Sequence, residues 1–237
     1  MSIRRSTLAT LATLRPDVLV ALLVATVGTN LLDFATAPAP GDAIGAGFVA
    51  AAFVRIVLVF WIGYAVQRNL SGGAQPLRPA IALARFCALQ VVLLVGFGMA
   101  TKLGAIMQGT GEVPLARQWL FGFLAMAFYA LFTIRLLAWN AALAMGERFD
   151  RLVPLWRVQA RALGRIGGAY VALILPITAI HLAMTLVALK TPMTTDLRLG
   201  LAVVDGLFQA LELGLTCALG AVAWRVATAI EAAPPPR

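Results

Sequence analysis

Charge is scarce in this chain. Only 12% of its 237 residues are Asp, Glu, Lys or Arg, against about 25% in soluble domains, a shortfall too large for a big core to explain. Histidine occurs once and cysteine twice. One imidazole and no CxxC spacing leave too few ligands for a metal site, so no metal or cofactor is expected. Cys87 and Cys217 fall in apolar runs and read as reduced, packed thiols. Serine is restricted to Ser2, Ser6 and Ser71, none of them in a membrane-length run or a GxSxG setting. P-loop, HExxH and paired-Asp patterns are missing too. Catalysis is left without an obvious nucleophile, and no catalytic residue is assigned.

What fills the chain instead is apolar sequence, 61% by composition. Runs of a length that crosses about 30 Å of hydrocarbon recur along it. Six are read, at 17–36, 43–66, 80–101, 118–143, 168–189 and 199–225. Lipid offers no partner for open backbone, and no barrel-type alternation appears, so each run is expected to be a helix. The expected fold is an all-α bundle of six transmembrane helices forming one integral membrane domain over residues 1–237.

The net charge of +9 is explained by membrane placement rather than by nucleic acid, because basic residues gather in cytoplasmic loops. Arg4, Arg5 and Arg15 precede the first run; Arg68, Arg78 and Arg85 join the second to the third. Arg148, Arg151, Arg157, Arg161 and Arg165 join the fourth to the fifth, and Arg225 and Arg237 follow the last. The alternate connections hold only Lys102, Arg117, Lys190 and Arg198. This asymmetry is expected to set both termini in the cytoplasm of a bacterial inner membrane. The start also resembles a signal peptide, with a small-x-small site at Ala35-Thr36-Ala37. Its apolar segment is long for that role, and an uncleaved first helix is the preferred reading. The turn at 37–42, the Gly-rich connection 102–117 and the Pro-rich tail 231–237 complete the outline.

Charges inside the runs are the candidate site. Arg55 lies near the middle of the second run and Arg135 toward the inner end of the fourth. A central arginine facing lipid costs about 2.5–3.5 kcal/mol on insertion scales, so both are expected to face the bundle, with snorkelling open to Arg135. In the last run, Asp205, Gln209 and Glu212 stand at i, i+4 and i+7, on one helix face. Arg55 is expected near Glu212. His181 is also near mid-depth, while Asn30 and Asp33 are read as lining the outer mouth or meeting interfacial water. Two readings stay open: charge pairing that fixes helix register, or a polar pathway or ligand pocket. An offset of 80 residues superposes Arg55 on Arg135, Arg68 on Arg148 and Arg85 on Arg165, a weak internal repeat.

The connection ERFDRLVPLWRVQARALGRIGGAY forms a basic elbow. Arg157, Arg161 and Arg165 recur every four residues beside Trp156. They read either as lipid-phosphate contacts on a short interfacial helix or as an ordinary positive-inside loop. LFTIRLLAWNAALAMGERF, the Trp156-Arg157 pair and GRIGGAYVALILP resemble a broad set of bacterial six-helix membrane proteins. That set includes the glycerophosphodiester phosphodiesterase membrane-domain-like group. The resemblance covers about 50 residues well and implies six helices and membrane residence, with no agreed activity. Some members carry a soluble phosphodiesterase domain that this chain lacks, so its chemistry is not carried over.

The expected function is therefore non-catalytic: support of an envelope or lipid-related process through helix packing and contacts with anionic lipid at the cytoplasmic face. The alternative is a small-molecule or ion transporter or channel using the buried charges. Small residues in GDAIGAGFVAAAF allow close packing within the bundle, between copies in a homo-oligomer, or against a membrane-protein partner.

Overall fold

The computed structural model describes residues 2–36, 45–75, 77, 81–108, 115–190 and 194–232. The expected turn at 37–42, the centre of the Gly-rich connection and the tail prolines lie outside the described residues, as do Arg78 and Arg237. Every regular element among the described residues is helical.

A short helix α1 (Ile3–Leu11) precedes the first long one. The sequence reading treats these residues only as a charged leader. Ser2 caps it, accepting from the Arg5 backbone N–H at 3.4 Å. Pro16 then disfavours helix at the residue before it and opens α2 (Pro16–Thr36), where a missing N–H costs nothing. Next come α3 (Ala46–Leu70), α4 (Ile81–Gln108) and α5 (Leu115–Ala144). Helix α5 stops in a Schellman turn. Gly146 adopts φ +97°, the Glu147 N–H reaches the Ala142 carbonyl and the Gly146 N–H reaches that of Leu143, both at 3.0 Å. Arg68 donates to the Ala144 carbonyl at 3.0 Å, and Arg85 donates to those of Gly146 and Glu147 at 3.0 and 3.3 Å. Two of the loop arginines thus satisfy the open carbonyls where the helix dipole is negative.

The elbow is helical: a single turn at Phe149–Arg151, α6 (Leu152–Gln159), a second turn at Ala160–Ala162, then α7 (Leu163–Leu173), α8 (Leu175–Lys190) and α9 (Thr195–Ala232). The fifth expected segment, 168–189, is two helices meeting at Ile174. Pro176 has no N–H to give the Ala172 carbonyl and breaks the ladder there. The last segment is longer than the expected 199–225. The 38 residues of α9 span about 57 Å at 1.5 Å per residue, so this helix reaches past the hydrocarbon to meet α1 and α6.

Five stretches are long and apolar enough to cross a membrane: Pro16–Thr36, Ala46–Leu70, Ala127–Ala144, Phe149–His181 and Thr195–Ala232. Among the described residues α4 adds a shorter apolar stretch, Ile81–Gly96, within the third expected run. The outer faces carry the same message. Leu120, Leu124, Phe128 and Leu131 form an exposed stripe on α5, and Val91, Val92, Val95 and Met99 do so on α4. Faces this apolar belong in lipid. The chain is a multi-pass, all-α membrane bundle.

Helix α9 is its axis. Gly214, Cys217, Ala218, Gly220, Ala221 and Ala223 are all buried, and packing reaches α2 and α3 on one side and α5 and α7 on the other. Small residues let backbones approach closely. A Cβ on Gly206 would stand 2.7 Å from the Val27 Cα, and one on Gly220 would stand 3.0 Å from the Leu137 carbonyl oxygen. The internal repeat is not reproduced. Helix α4 runs unbroken where its offset counterpart breaks at Ile174, and Arg148, unlike Arg68, is exposed beside Asp150 at 3.9 Å.

Candidate functional site

Asp205 is the hub of the polar cluster. It accepts from the Asn30 side chain of α2 at 2.8 Å and from Gln209, one turn along α9, at 3.1 Å. Its other carboxylate oxygen meets Nδ1 of His181 at 2.5 Å. Asn30 is buried and also donates to the Ala202 carbonyl at 3.3 Å. Three helices are thereby tied to one carboxylate. Asp205 and Gln209, expected on one helix face, are joined, and His181, expected near mid-depth among the candidate polar residues, meets them.

Glu212 is near, but its partner comes from elsewhere. It accepts from the Thr178 hydroxyl at 2.7 Å. Thr178 lies in the first turn of α8, just past the Pro176 break, and its hydroxyl is also 3.2 Å from the Ile174 carbonyl. The break therefore positions the hydroxyl that meets the carboxyl. Phenols of Tyr129 and Tyr170 lie within electrostatic range of Glu212.

Arg55 does not pair with Glu212. It forms a salt bridge with Asp33 near the end of α2, while remaining within electrostatic range of His181. The reason is direction. A helical Cα–Cβ bond leans toward the helix N-terminus, and the N-terminus of α3 lies at the same end as the C-terminus of α2. The long side chain therefore reaches away from mid-depth, toward Asp33. Depth judged at Cα places the charge about one side-chain length too deep.

Arg135 takes a third solution. Its guanidinium sits over the indole of Trp156, 3.9 Å from the ring centroid, a cation–π contact. Trp156 packs in turn against Trp139, with centroids 5.4 Å apart. Trp156, expected as a lipid-phosphate contact, here lies against a guanidinium of its own chain. Its ring is half-buried and shields an intramembrane charge. Arg157, Arg161 and Arg165, on α6, the following turn and α7, are exposed, and none has a hydrogen bond or ion pair among the described residues.

Polar residues that the sequence reading passed over are also at work. Buried Gln67 donates to the Cys217 carbonyl at 3.1 Å, and buried Gln159 donates to that of Ile134 at 2.8 Å. Gln90 donates to Asn140 at 2.7 Å. Each bond joins two helices, the adhesive use of amides in lipid. A lone amide inside an apolar run was the available signal. The thiols are free, with Cys217 buried and Cys87 half-buried, and no group of three metal-ligating side chains occurs among the described residues.

An open cleft stands out among the described residues. It lies between α1 and the C-terminal part of α9, holds about 480 Å³ and is lined by Ser6, Ala9, Thr10, Thr13, Val222, Arg225, Val226 and Ala229. No known protein family, curated protein or solved structure matches the chain.

Proposed function

We propose that this is a non-catalytic protein of a bacterial inner membrane, with both termini cytoplasmic, that supports an envelope or lipid-related process by engaging anionic lipid at its basic end. The observation that carries the reading is the elbow. Arg151 is taken by Glu231 at 3.1 Å and Arg135 by Trp156, whereas Arg157, Arg161 and Arg165 are exposed and have no partner among the described residues. Cations left over after the fold has satisfied its own carboxylates are available to phosphate. The resemblance at 131–176 supports membrane residence and adds no activity.

The test is binding to vesicles with and without phosphatidylglycerol. Replacing Arg157, Arg161 and Arg165 with Gln is expected to weaken the anionic preference by about 1 kcal/mol per residue. An unchanged preference would leave the three residues with a topogenic role alone and remove the support.

A second reading, ion passage, is favoured by one specific feature: a helix break beside an intramembrane carboxyl. Discontinuous helices and midplane charges mark binding sites in transporters. Proteoliposome flux that disappears in Glu212→Gln while the protein stays folded would establish this reading over the first.

A further inference from the structure

The cleft between α1 and α9 has the chemistry of an anion site with an apolar wall. Arg225 is exposed, and its Nη2 donates to the Thr10 hydroxyl at 2.6 Å. A guanidinium carries five N–H donors, and no carboxylate among the described residues pairs with this one. Thr10 is buried to 7% exposure. Because its oxygen accepts from Arg225, its own hydrogen is left to donate. Ser6 and Thr13 turn their hydroxyl hydrogens to the backbone, on Ser2 at 3.2 Å and Thr10 at 2.7 Å, so those two shape the rim. Ala9, Val222, Val226 and Ala229 supply the apolar wall.

Charge and polarity together select the occupant. A free phosphate would use the Arg225 end and leave the apolar wall wet. A neutral apolar ligand would leave the guanidinium unpaired. A phospholipid with an anionic headgroup satisfies both halves: phosphodiester oxygens toward Arg225 and Thr10, glycerol and the first methylenes along Val222 and Val226. A cavity of about 480 Å³ lies in the range that holds a small ligand. We infer that the α1–α9 cleft holds one anionic phospholipid by its headgroup phosphate, with Arg225 and Thr10 as its donors. This deepens the lipid-engaging reading but rests on a surface separate from the elbow arginines.

The full-length protein, purified from phosphatidylglycerol-containing nanodiscs, is to be examined by native mass spectrometry for retained lipid. One retained phosphatidylglycerol per chain is expected, with phosphatidylcholine not replacing it and millimolar inorganic phosphate not displacing it. Arg225→Gln is expected to cut retention about fivefold, the factor one basic contact with an anionic surface supplies. Ala229→Trp, which fills the cleft without touching a charge, should abolish retention and guards against misfolding of the Arg225 variant. The triple Gln variant of the elbow should keep the retained lipid even where it loses vesicle preference, which separates the two surfaces. Full retention in both cleft variants would overturn the inference, as would displacement by inorganic phosphate or loss of the lipid in the elbow variant.

Discussion

If Arg55 is held by Asp33, the two residues must be energetically coupled, and Arg55 and Glu212 must not be. The perturbation is a pair of double-variant cycles: Arg55→Leu with Asp33→Leu, and Arg55→Leu with Glu212→Leu. The side chains of the Arg55–Asp33 pair are 41% and 26% exposed, which sets the magnitude between two limits. Exposed pairs are worth about 0.2–1 kcal/mol, and stripping one partner from a buried pair costs about 3–5 kcal/mol. A coupling of about 1–3 kcal/mol is therefore expected, with the double Leu variant more stable than the sum of its single losses implies. The Arg55–Glu212 cycle should be additive within about 0.5 kcal/mol, as for residues that share no partner. The assay is equilibrium unfolding in mild detergent micelles, followed by tryptophan fluorescence. An additive Arg55–Asp33 cycle together with a coupled Arg55–Glu212 cycle would refute the assignment and restore the pairing expected from depth.

Three further outcomes follow from the packing. Trp156→Leu should cost about 2 kcal/mol or more by uncovering a desolvated Arg135, and Trp156→Phe should recover part of it; equal thermal midpoints for the two variants would dismiss the ring contact. Gly206→Ala should destabilise by about 1–3 kcal/mol because its Cβ would meet Val27 backbone, while Gly28→Ala, with open space at that position, should be neutral or mildly stabilising in the same melt. Gln67→Leu should lose about 1 kcal/mol with the interhelical bond to the Cys217 carbonyl, and amide exchange along α3 and α9 should rise.

How much was legible beforehand depends on whether a feature is local. Helices α2 to α5 follow from runs of apolar sequence, and the Asp205 and Gln209 pairing follows from helix spacing, whereas the bond of His181 to Asp205 required the helices to be assembled. The partners of Arg55 and Arg135 are not local. They depend on which way a long side chain leans and on where Trp156 of the elbow folds back, and neither is written in hydropathy. Helix α1 was missed because nine residues of mixed polarity carry no membrane signal. Its place is set by contact with an α9 longer than its apolar core. The Pro176 break was visible as a proline. Its consequence, a threonine hydroxyl turned onto Glu212, required the helices to be assembled.

That consequence bears on which functional reading is the stronger. Among the described residues, Asp33, Asp205 and Glu212 share one stretch of the bundle with Arg55 and His181. Asp33 is matched by Arg55, and Asp205 by His181, Asn30 and Gln209. Glu212 has a hydroxyl. Glu212→Gln keeps an acceptor for the Thr178 hydroxyl and should leave stability within about 0.5 kcal/mol of the parent, while Glu212→Leu removes it, leaves that hydroxyl only the Ile174 carbonyl at 3.2 Å, and costs about 1 kcal/mol. A Gln variant as damaging as Leu would mean that the charge of Glu212, rather than its bond to Thr178, serves the bundle, and ion passage would become the better account.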